Sequence, residues 1–251
     1  MIDCKIHGAN DMRLEPTVMP EPGPGQVLLR LGAGGICGSD MHYFFEGRVG
    51  SFQIREPMTP GHEASGVVAR VGAGVTRVKE GDNVAINPSH PCGKCDNCRD
   101  GRENLCREMR FLGSASIFPH VQGMFREYFL MGERQLTPVA GDVTLGELAC
   151  CEPFSVGLHS VNRIGAPLVG KTVLVTGAGT IGCMTVLAAK LFGAVKVIVT
   201  DVVDNPLAVA KSIGADVGLR VDKLPAGTSL AEAIGEVDVA LEVAGSPAAL
   251  M

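Results

Sequence analysis

The sequence has no excess of positive charge: 22 lysines and arginines stand against 27 aspartates and glutamates, a formal net charge of −5. A nucleic acid or an anionic membrane surface needs a basic footprint to bind, so neither is an expected partner. Long apolar runs are missing too. No stretch approaches the roughly 20 apolar residues that span a bilayer. The amino terminus, MIDCKIHGAND, is charged and has no run of signal-peptide length. The expected setting is the cytoplasm. Internal repeats and low-complexity tracts are also absent, which removes solenoids and biased tails from consideration. What is plentiful is glycine, 33 of 251 residues, pointing to many tight turns, in a chain long enough for two domains and a substantial core.

Of nine cysteines, four fall between Cys92 and Cys106 in CGKCDNCRDGRENLC, spaced C-x2-C-x2-C-x7-C. Four thiolates folded back on one point make a closed tetrahedral zinc site, with no position left for water or substrate. Disulfides would require an oxidising compartment, for which nothing else in the chain argues, and an iron–sulfur cluster would sit here without electron-transfer context. Close-spaced quartets favour zinc. Cys92, Cys95, Cys98 and Cys106 are therefore expected to brace a lobe, which puts the chemistry elsewhere. Cys4, Cys150, Cys151 and Cys183 are expected to be small buried hydrophobes.

From Met1 to about Val84, short apolar runs such as VLLRL (Val27 to Leu31) and ASGVVARV (Ala64 to Val71) are broken by glycine and proline, which predicts a β-rich unit. Met109 to Met131 is less regular and carries several aromatics. Near Glu147 the character changes. LGELACCEPFSVGLHSVNRI has the spacing of a helix, and after Gly165 strands alternate with helices, one of them expected to open on Asp204 as its N-cap. That alternation predicts an α/β chain with a parallel, doubly wound sheet. Two domains follow, residues 1–155 and 156–251. Four strands are readable where a complete dinucleotide-binding sheet has about six, so the sheet is expected to be incomplete at its carboxyl-terminal end.

Gly177, Gly179 and Gly182 in VTGAGTIG, with Thr180 and Ile181 between the last two, form GxGxxG directly after a strand and opening a helix. The first glycine permits the tight turn, the second lets the backbone approach a pyrophosphate, and the third lets helix and strand pack closely. Asp201 ends the following strand about 20 residues on, where a carboxylate accepts ribose hydroxyls and repels a 2′-phosphate. No arginine or lysine follows it closely, since the next residues are Val202, Val203 and Asp204. NAD is expected over NADP. The bland alternative is a turn closed by glycines and a strand end capped by Asp201.

A second, mixed set of metal-binding types is spread along the chain: Cys37 in GGICGSDMHY, His62 and Glu63 in PGHE, and Glu152 in CEP. Thiolate, imidazole and carboxylate in one set, with fewer thiolates than the quartet, can leave a coordination position for water or substrate, as a catalytic zinc requires. Asp40 suits the orientation of a ligand histidine, and Ser39 with His42 suits proton transfer to solvent.

In this order, GICGSDMHY, PGHE, the four-cysteine lobe, CEPFSVGLH and VTGAGTIG resemble the zinc-dependent medium-chain dehydrogenase/reductase family, sorbitol dehydrogenase-like branch, over essentially the whole chain. The resemblance implies a GroES-like catalytic domain ahead of an NAD-binding Rossmann domain, with one catalytic and one structural zinc. It implies that Cys37, His62 and Glu63 bind or adjoin the catalytic zinc, that Glu152 takes a further ligand position or holds its water, and that Ser39 and His42 relay a proton. INPSHPCGKC and MRFLGSASIFPHVQGMF look like the L-idonate 5-dehydrogenases of that branch. That narrower likeness implies oxidation of a secondary alcohol in a sugar acid, with Tyr43, Phe111, Ser114 and Phe118 toward the substrate cleft and Arg48 and Arg110 available by charge for the carboxylate. The alternative substrates are a polyol such as sorbitol or xylitol, or threonine, because metal and cofactor sites do not encode the rest of a substrate. From a different class, the alternative is a cofactor-binding relic without turnover. The full-length form is expected to be a homo-oligomer.

Overall fold

Short aliphatic runs broken by glycine and proline predict the strands of a sheet in the amino-terminal part of the chain. A computed structural model, describing residues 1–246, shows that sheet. The chain divides into two units, Met1–Glu152 and Pro153–Met251.

The first unit opens with a hairpin of β1 (Ile2–Gly8) and β2 (Asp11–Pro16), followed by β3 (Gln26–Gly35), α1 (Gly38–Glu46) and a small hairpin of β4 (Arg48–Val49) and β5 (Phe52–Gln53). β6 (Glu63–Val71) and β7 (Asn83–Ile86) come next, then β8 (Ser89–His90), α2 (Asp96–Arg99) and β9 (Arg110–Phe111). β10 (Tyr128–Gly132), β11 (Leu136–Pro138) and α3 (Leu145–Ala149) complete it. Its main sheet is antiparallel in the order β10-β3-β6-β7-β11. Val27, Leu29, Val68, Val84, Phe129 and Leu136 pack on one another in its core. Removing side chains of this size from water stabilises by about 1.5–3 kcal/mol each.

α4 (Cys151–Asn162) precedes β12 (Thr172–Thr176), α5 (Thr180–Leu191), β13 (Lys196–Asp201), α6 (Asp204–Ser212), β14 (Val217–Arg220), α7 (Leu230–Ile234) and β15 (Val239–Glu242). The four strands are parallel in the order β14-β13-β12-β15. Val173, Val175, Val197 and Val199 are fully buried. Their β-branched side chains suit a sheet covered on both faces. The strand order reverses beside β12, which is where ligands bind in open sheets of this kind.

Three local expectations are corrected. The segment read as one helix is two, α3 and α4, meeting at Cys150, and α3 starts on a capping box in which Thr144 and Glu147 bond one another's backbone N–H. Asp204 is the first helical residue of α6, not its cap: the N-cap is Val203, whose N–H is accepted by the Asp201 carboxylate. Cys150 and Cys151 are exposed, because both lie at the junction of two helices, and Cys4 is only half-buried, whereas Cys183 is buried as expected.

Candidate functional site

Strand register assembles the mixed donor set. β3 and β6 pair with Gly35 opposite Glu63, so the end of one strand lies beside the start of the other. Leaving β3, the chain reaches Cys37 two residues on, and entering β6 it presents His62 immediately before Glu63. Cys37, His62 and Glu63 each offer a ligand atom, all within 4.8 Å of one another. Glu63 has room because residue 35 is glycine: a Cβ there would lie 2.4 Å from its Oε2. Asp40, from the first turn of α1 and only 3% exposed, pins both approaches by accepting the N–H of Cys37 and of Gly61, each at 3.0 Å. Its Oδ1 also lies 4.0 Å from His62 Nδ1. Asp40 therefore braces the backbone on either side of the donor set, and its carboxylate is not hydrogen-bonded to the His62 ring.

The electrostatics show what the set lacks. Burial pushes the Cys37 thiol up, against hydrogen bonds with Ser39 and reinforced by the charges of Glu63 and Asp40. Burial likewise pushes Glu63 and Glu152 up, and each is partly relieved by His62. His62 Nδ1 is buried without a hydrogen bond. Crowded acidic groups and an orphaned imidazole nitrogen are both satisfied by a divalent cation, and a sulfur–nitrogen–oxygen set suits zinc. These residues fit the metal. Glu152 feels the charges of His62, Glu63 and Asp40 but does not join the close set, so the structure separates the two glutamates: Glu63 lies among the donors and Glu152 beside them.

Cys92, Cys95, Cys98 and Cys106 also converge within 4.8 Å. All nine cysteines are free thiols. Tight turning around the four-residue α2 folds backbone N–H groups toward sulfur: Cys92 N–H donates to Cys106 Sγ at 3.2 Å and Cys95 N–H to Cys92 Sγ at 3.4 Å. Backbone N–H groups of Arg107 and Cys98 hold the Cys95 thiol well below its ordinary value. Burial and the neighbouring cysteines push the Cys98 thiol the other way, up, as expected of crowded sulfurs sharing protons, and a cation that takes four thiolates suits the cluster.

The glycine loop follows β12. Gly177 has φ +95°, and a Cβ on Gly182 would lie 2.0 Å from the Gly177 carbonyl oxygen, so turn and close packing both demand glycine. At Gly179 a Cβ would meet nothing within 4 Å. That open space, at the N-cap of α5 and beside the exposed Thr180, is where a pyrophosphate would approach the helix, with Ile181 in the same first turn. The loop fits a dinucleotide. Asp201 accepts the N–H groups of Ala178, Val202 and Val203, so it ties loop to strand end with acceptor capacity to spare. Sheet register also brings Arg220 opposite Asp201, a neighbour that sequence proximity could not show. Its charge is taken by Asp204 and Asp222.

The chain is similar to known dehydrogenases. The profile of the alcohol dehydrogenase GroES-like domain matches residues 23–141, and that of the zinc-binding dehydrogenase matches residues 180–251. Sorbitol dehydrogenase of Bacillus subtilis is 38% identical over 98% of the chain and 69% of its own length. The chain belongs to the zinc-dependent medium-chain dehydrogenase family. Among other members, sorbitol dehydrogenase of Gallus gallus is 44% identical over 86% of the chain, which spans 59% of that protein's length. The solved L-idonate 5-dehydrogenase of Escherichia coli superposes with a TM-score of 0.90 at 37% identity, covering 99% of this chain and 70% of that one.

With the family in hand, the expected relay and cleft residues can be placed. Ser39 is half-buried beside Cys37, and His42, one turn further along α1, is exposed with Nδ1 2.7 Å from Glu46 Oε1. Phe111 lies edge-on to His62, with ring centroids 5.3 Å apart, while Ser114 bridges to Val121. Tyr43 corrects the expectation. It is 3% exposed among Ile6, Met58 and Ala115, and its hydroxyl accepts the Ala115 N–H, so it anchors the aromatic segment instead of facing a cleft. Arg110 is exposed, next to Phe111 in β9, and its charge acts on His90. Arg48 is exposed on the small hairpin, and Phe118 is 55% exposed.

Proposed function

We infer that this chain carries the catalytic apparatus of a zinc- and NAD(P)-dependent dehydrogenase acting on a secondary alcohol of a sugar acid, L-idonate oxidised to 5-keto-D-gluconate. The observation that carries the reading is the Cys37–His62–Glu63 donor set in the same chain as the glycine loop. The sugar-acid assignment draws support from 41% identity with the L-idonate 5-dehydrogenase (NAD(P)+) of Escherichia coli, over 89% of this chain and 64% of that protein. The sorbitol dehydrogenases, at 44% identity, support a neutral polyol as the second reading.

When bound, zinc supplies a Lewis acid for the alcohol oxygen and the nicotinamide supplies the hydride acceptor. The chain's own residues do the rest. Cys37, His62 and Glu63 would hold the metal with Glu152 beside it, and Asp40 braces the backbone before Cys37 and before His62. Ser39 Oγ would accept the alcohol proton while its own hydroxyl proton moves on toward His42. Because Glu46 occupies the Nδ1 side of His42, that imidazole keeps Nε2 as its free acceptor, and it passes the proton to solvent. The Phe111 ring closes one side of the metal pocket against water. Gly177, Gly179 and Gly182 cradle the pyrophosphate, and Asp201 takes the ribose. With Asp201, Asp204 and Asp222 gathered around Arg220 and Lys223, the ribose end stays acidic, which favours NAD over a 2′-phosphate. The quartet braces its lobe and touches no substrate.

Zinc content per chain, paired with nicotinamide absorbance against L-idonate, sorbitol and threonine, tests the reading. Two zincs with turnover on L-idonate are expected. Turnover on sorbitol alone moves the assignment to the polyol reading, and one zinc with no turnover on any of the three defeats it.

A further inference from the structure

The ribose end of the glycine loop is joined, contact by contact, to a pair of cations. Asp201 Oδ2 accepts the N–H of Ala178, within the loop, at 2.8 Å, and its Oδ1 accepts the N–H groups of Val202 and Val203 at 2.7 and 2.9 Å. Val203 is the N-cap of α6, so Asp204 comes directly after the chain that Asp201 holds. Across the sheet, β13 and β14 pair with Asp201 opposite Arg220, which sends both side chains to the same face. Neighbouring strands lie about 4.8 Å apart, less than the length of an extended arginine side chain. Arg220 is therefore within reach of whatever Asp201 receives.

Two aspartates hold this arginine in different ways. Asp222 grips it as a fork, with Nε donating to Oδ1 at 2.8 Å and Nη2 to Oδ2 at 2.7 Å, and so fixes the plane of the guanidinium. Nη1 is left to Asp204, whose Oδ2 lies 2.7 Å from it and 3.2 Å from Lys223 Nζ. One carboxylate oxygen thus occupies two cations. The Arg220 side chain is only 19% exposed, whereas that of Asp204 is 70% exposed. The fork is the fixed part, and the Asp204 contact is a solvent-screened ion pair of the kind that contributes little to stability. In NADP the ribose hydroxyl that a carboxylate accepts carries a phosphate. At Asp201 that phosphate would meet two donors with an aspartate already on them.

We propose that Arg220 and Lys223 form a latent site for a 2′-phosphate, that Asp204 is the clasp that closes it, and that cofactor preference is set by this clasp together with Asp201; this rests on the dinucleotide reading above. The test is binding of NADH and NADPH to the zinc-loaded chain, followed by nicotinamide fluorescence. Calorimetry with adenosine 5′-monophosphate and adenosine 2′,5′-bisphosphate isolates the 2′-phosphate from the rest of the cofactor. The parent is compared with Asp204→Asn, Asp222→Asn, Arg220→Gln and the double variant Asp204→Asn/Arg220→Gln. The parent should bind NADH more tightly than NADPH. Asp204→Asn is expected to lower the ratio of the NADPH to the NADH dissociation constant about tenfold, as one freed charged donor would, and the two adenosine probes should shift alike. In the double variant most of that gain should vanish. Asp222→Asn loosens the fork and should gain less than Asp204→Asn. An unchanged ratio in Asp204→Asn, or an equal gain without Arg220, overturns the proposal while the dinucleotide reading stands. A parent that binds NADPH as tightly as NADH, or a gain in Asp222→Asn as large as in Asp204→Asn, overturns it as well. A parent that binds neither cofactor overturns both readings.

Discussion

Gly35→Ala probes the mixed metal set without touching a ligand. The new Cβ would lie 2.4 Å from Glu63 Oε2 and 3.1 Å from Glu63 Cβ, where ordinary contact begins near 3.4 Å. The carboxylate must therefore retreat by about 1 Å, while its Cβ gives a few tenths. Metal–oxygen distances tolerate only about 0.2 Å. A displaced donor of this kind costs about tenfold to a hundredfold in metal affinity, equivalent to about 1.4–2.7 kcal/mol. The assay is zinc retained per chain during dialysis against graded chelator. The quartet serves as internal reference, because Gly35 is in β3 and the four cysteines are in their own lobe. One zinc should leave at about tenfold or more lower chelator than in the parent, and the other should leave at the parental concentration. Two zincs lost in parallel with the parent would refute the claim that Glu63 is a ligand held in place by an absent side chain at residue 35.

Other outcomes follow from single contacts. Gly182→Ala sets a Cβ 2.0 Å from a backbone oxygen that cannot yield, so NAD binding should be lost in a fluorescence titration while both zincs stay bound. Leu168→Ala empties a fully buried position of the second unit's core and should lower unfolding stability by about 2–5 kcal/mol, read from the urea midpoint. Asp238 accepts from Lys171 Nζ at 2.9 Å and from Thr172 N–H at 2.8 Å, and these bonds hold its carboxyl below the ordinary range. The unfolded chain then binds the extra proton first, so this stability is present above the ordinary carboxylate value and lost as pH falls through the depressed one. Asp238→Asn should flatten that acid limb of the urea midpoint against pH, and an unchanged limb would remove the assignment.

The quartet was legible because its ligands are local. A spacing of two, two and seven residues around Gly93 and Gly101 leaves the chain few ways to fold except back on itself. The glycine loop was legible for the same reason, since strand, turn and helix follow one another directly. What could not be read depends on side-chain direction or on neighbours brought by the sheet. Tyr43 stands next to His42 in sequence, yet the turn of α1 sends one inward to Ala115 and the other out to solvent. Arg220 is 19 residues from Asp201 and becomes its neighbour only through β13 and β14.

The two metal sets also differ in what their assembly depends on. The quartet needs only its own loop to close. The mixed set depends on a register: β3 shifts against β6 between Leu28 and Leu29 and shifts back between Leu31 and Ala33, so the register that pairs Val27 with Val71 is restored where Gly35 faces Glu63. A slip of one residue would turn Glu63 to the opposite face of the sheet and carry His62 away from Cys37. Asp40 guards against this, since its two oxygens bond the chain just before α1 and the chain just before β6, and a slip would break one of them. Asp40→Asn keeps the shape but replaces one acceptor oxygen with an NH2 that cannot accept from a backbone N–H. One of the two bonds must fail, leaving a buried donor unpaired, at about 1–3 kcal/mol. The expected result is selective: zinc lost from the mixed set at lower chelator, the quartet zinc retained, and far-ultraviolet dichroism unchanged. If Asp40→Asn released both zincs together, Asp40 would be a general support of the unit, and the register argument would fail.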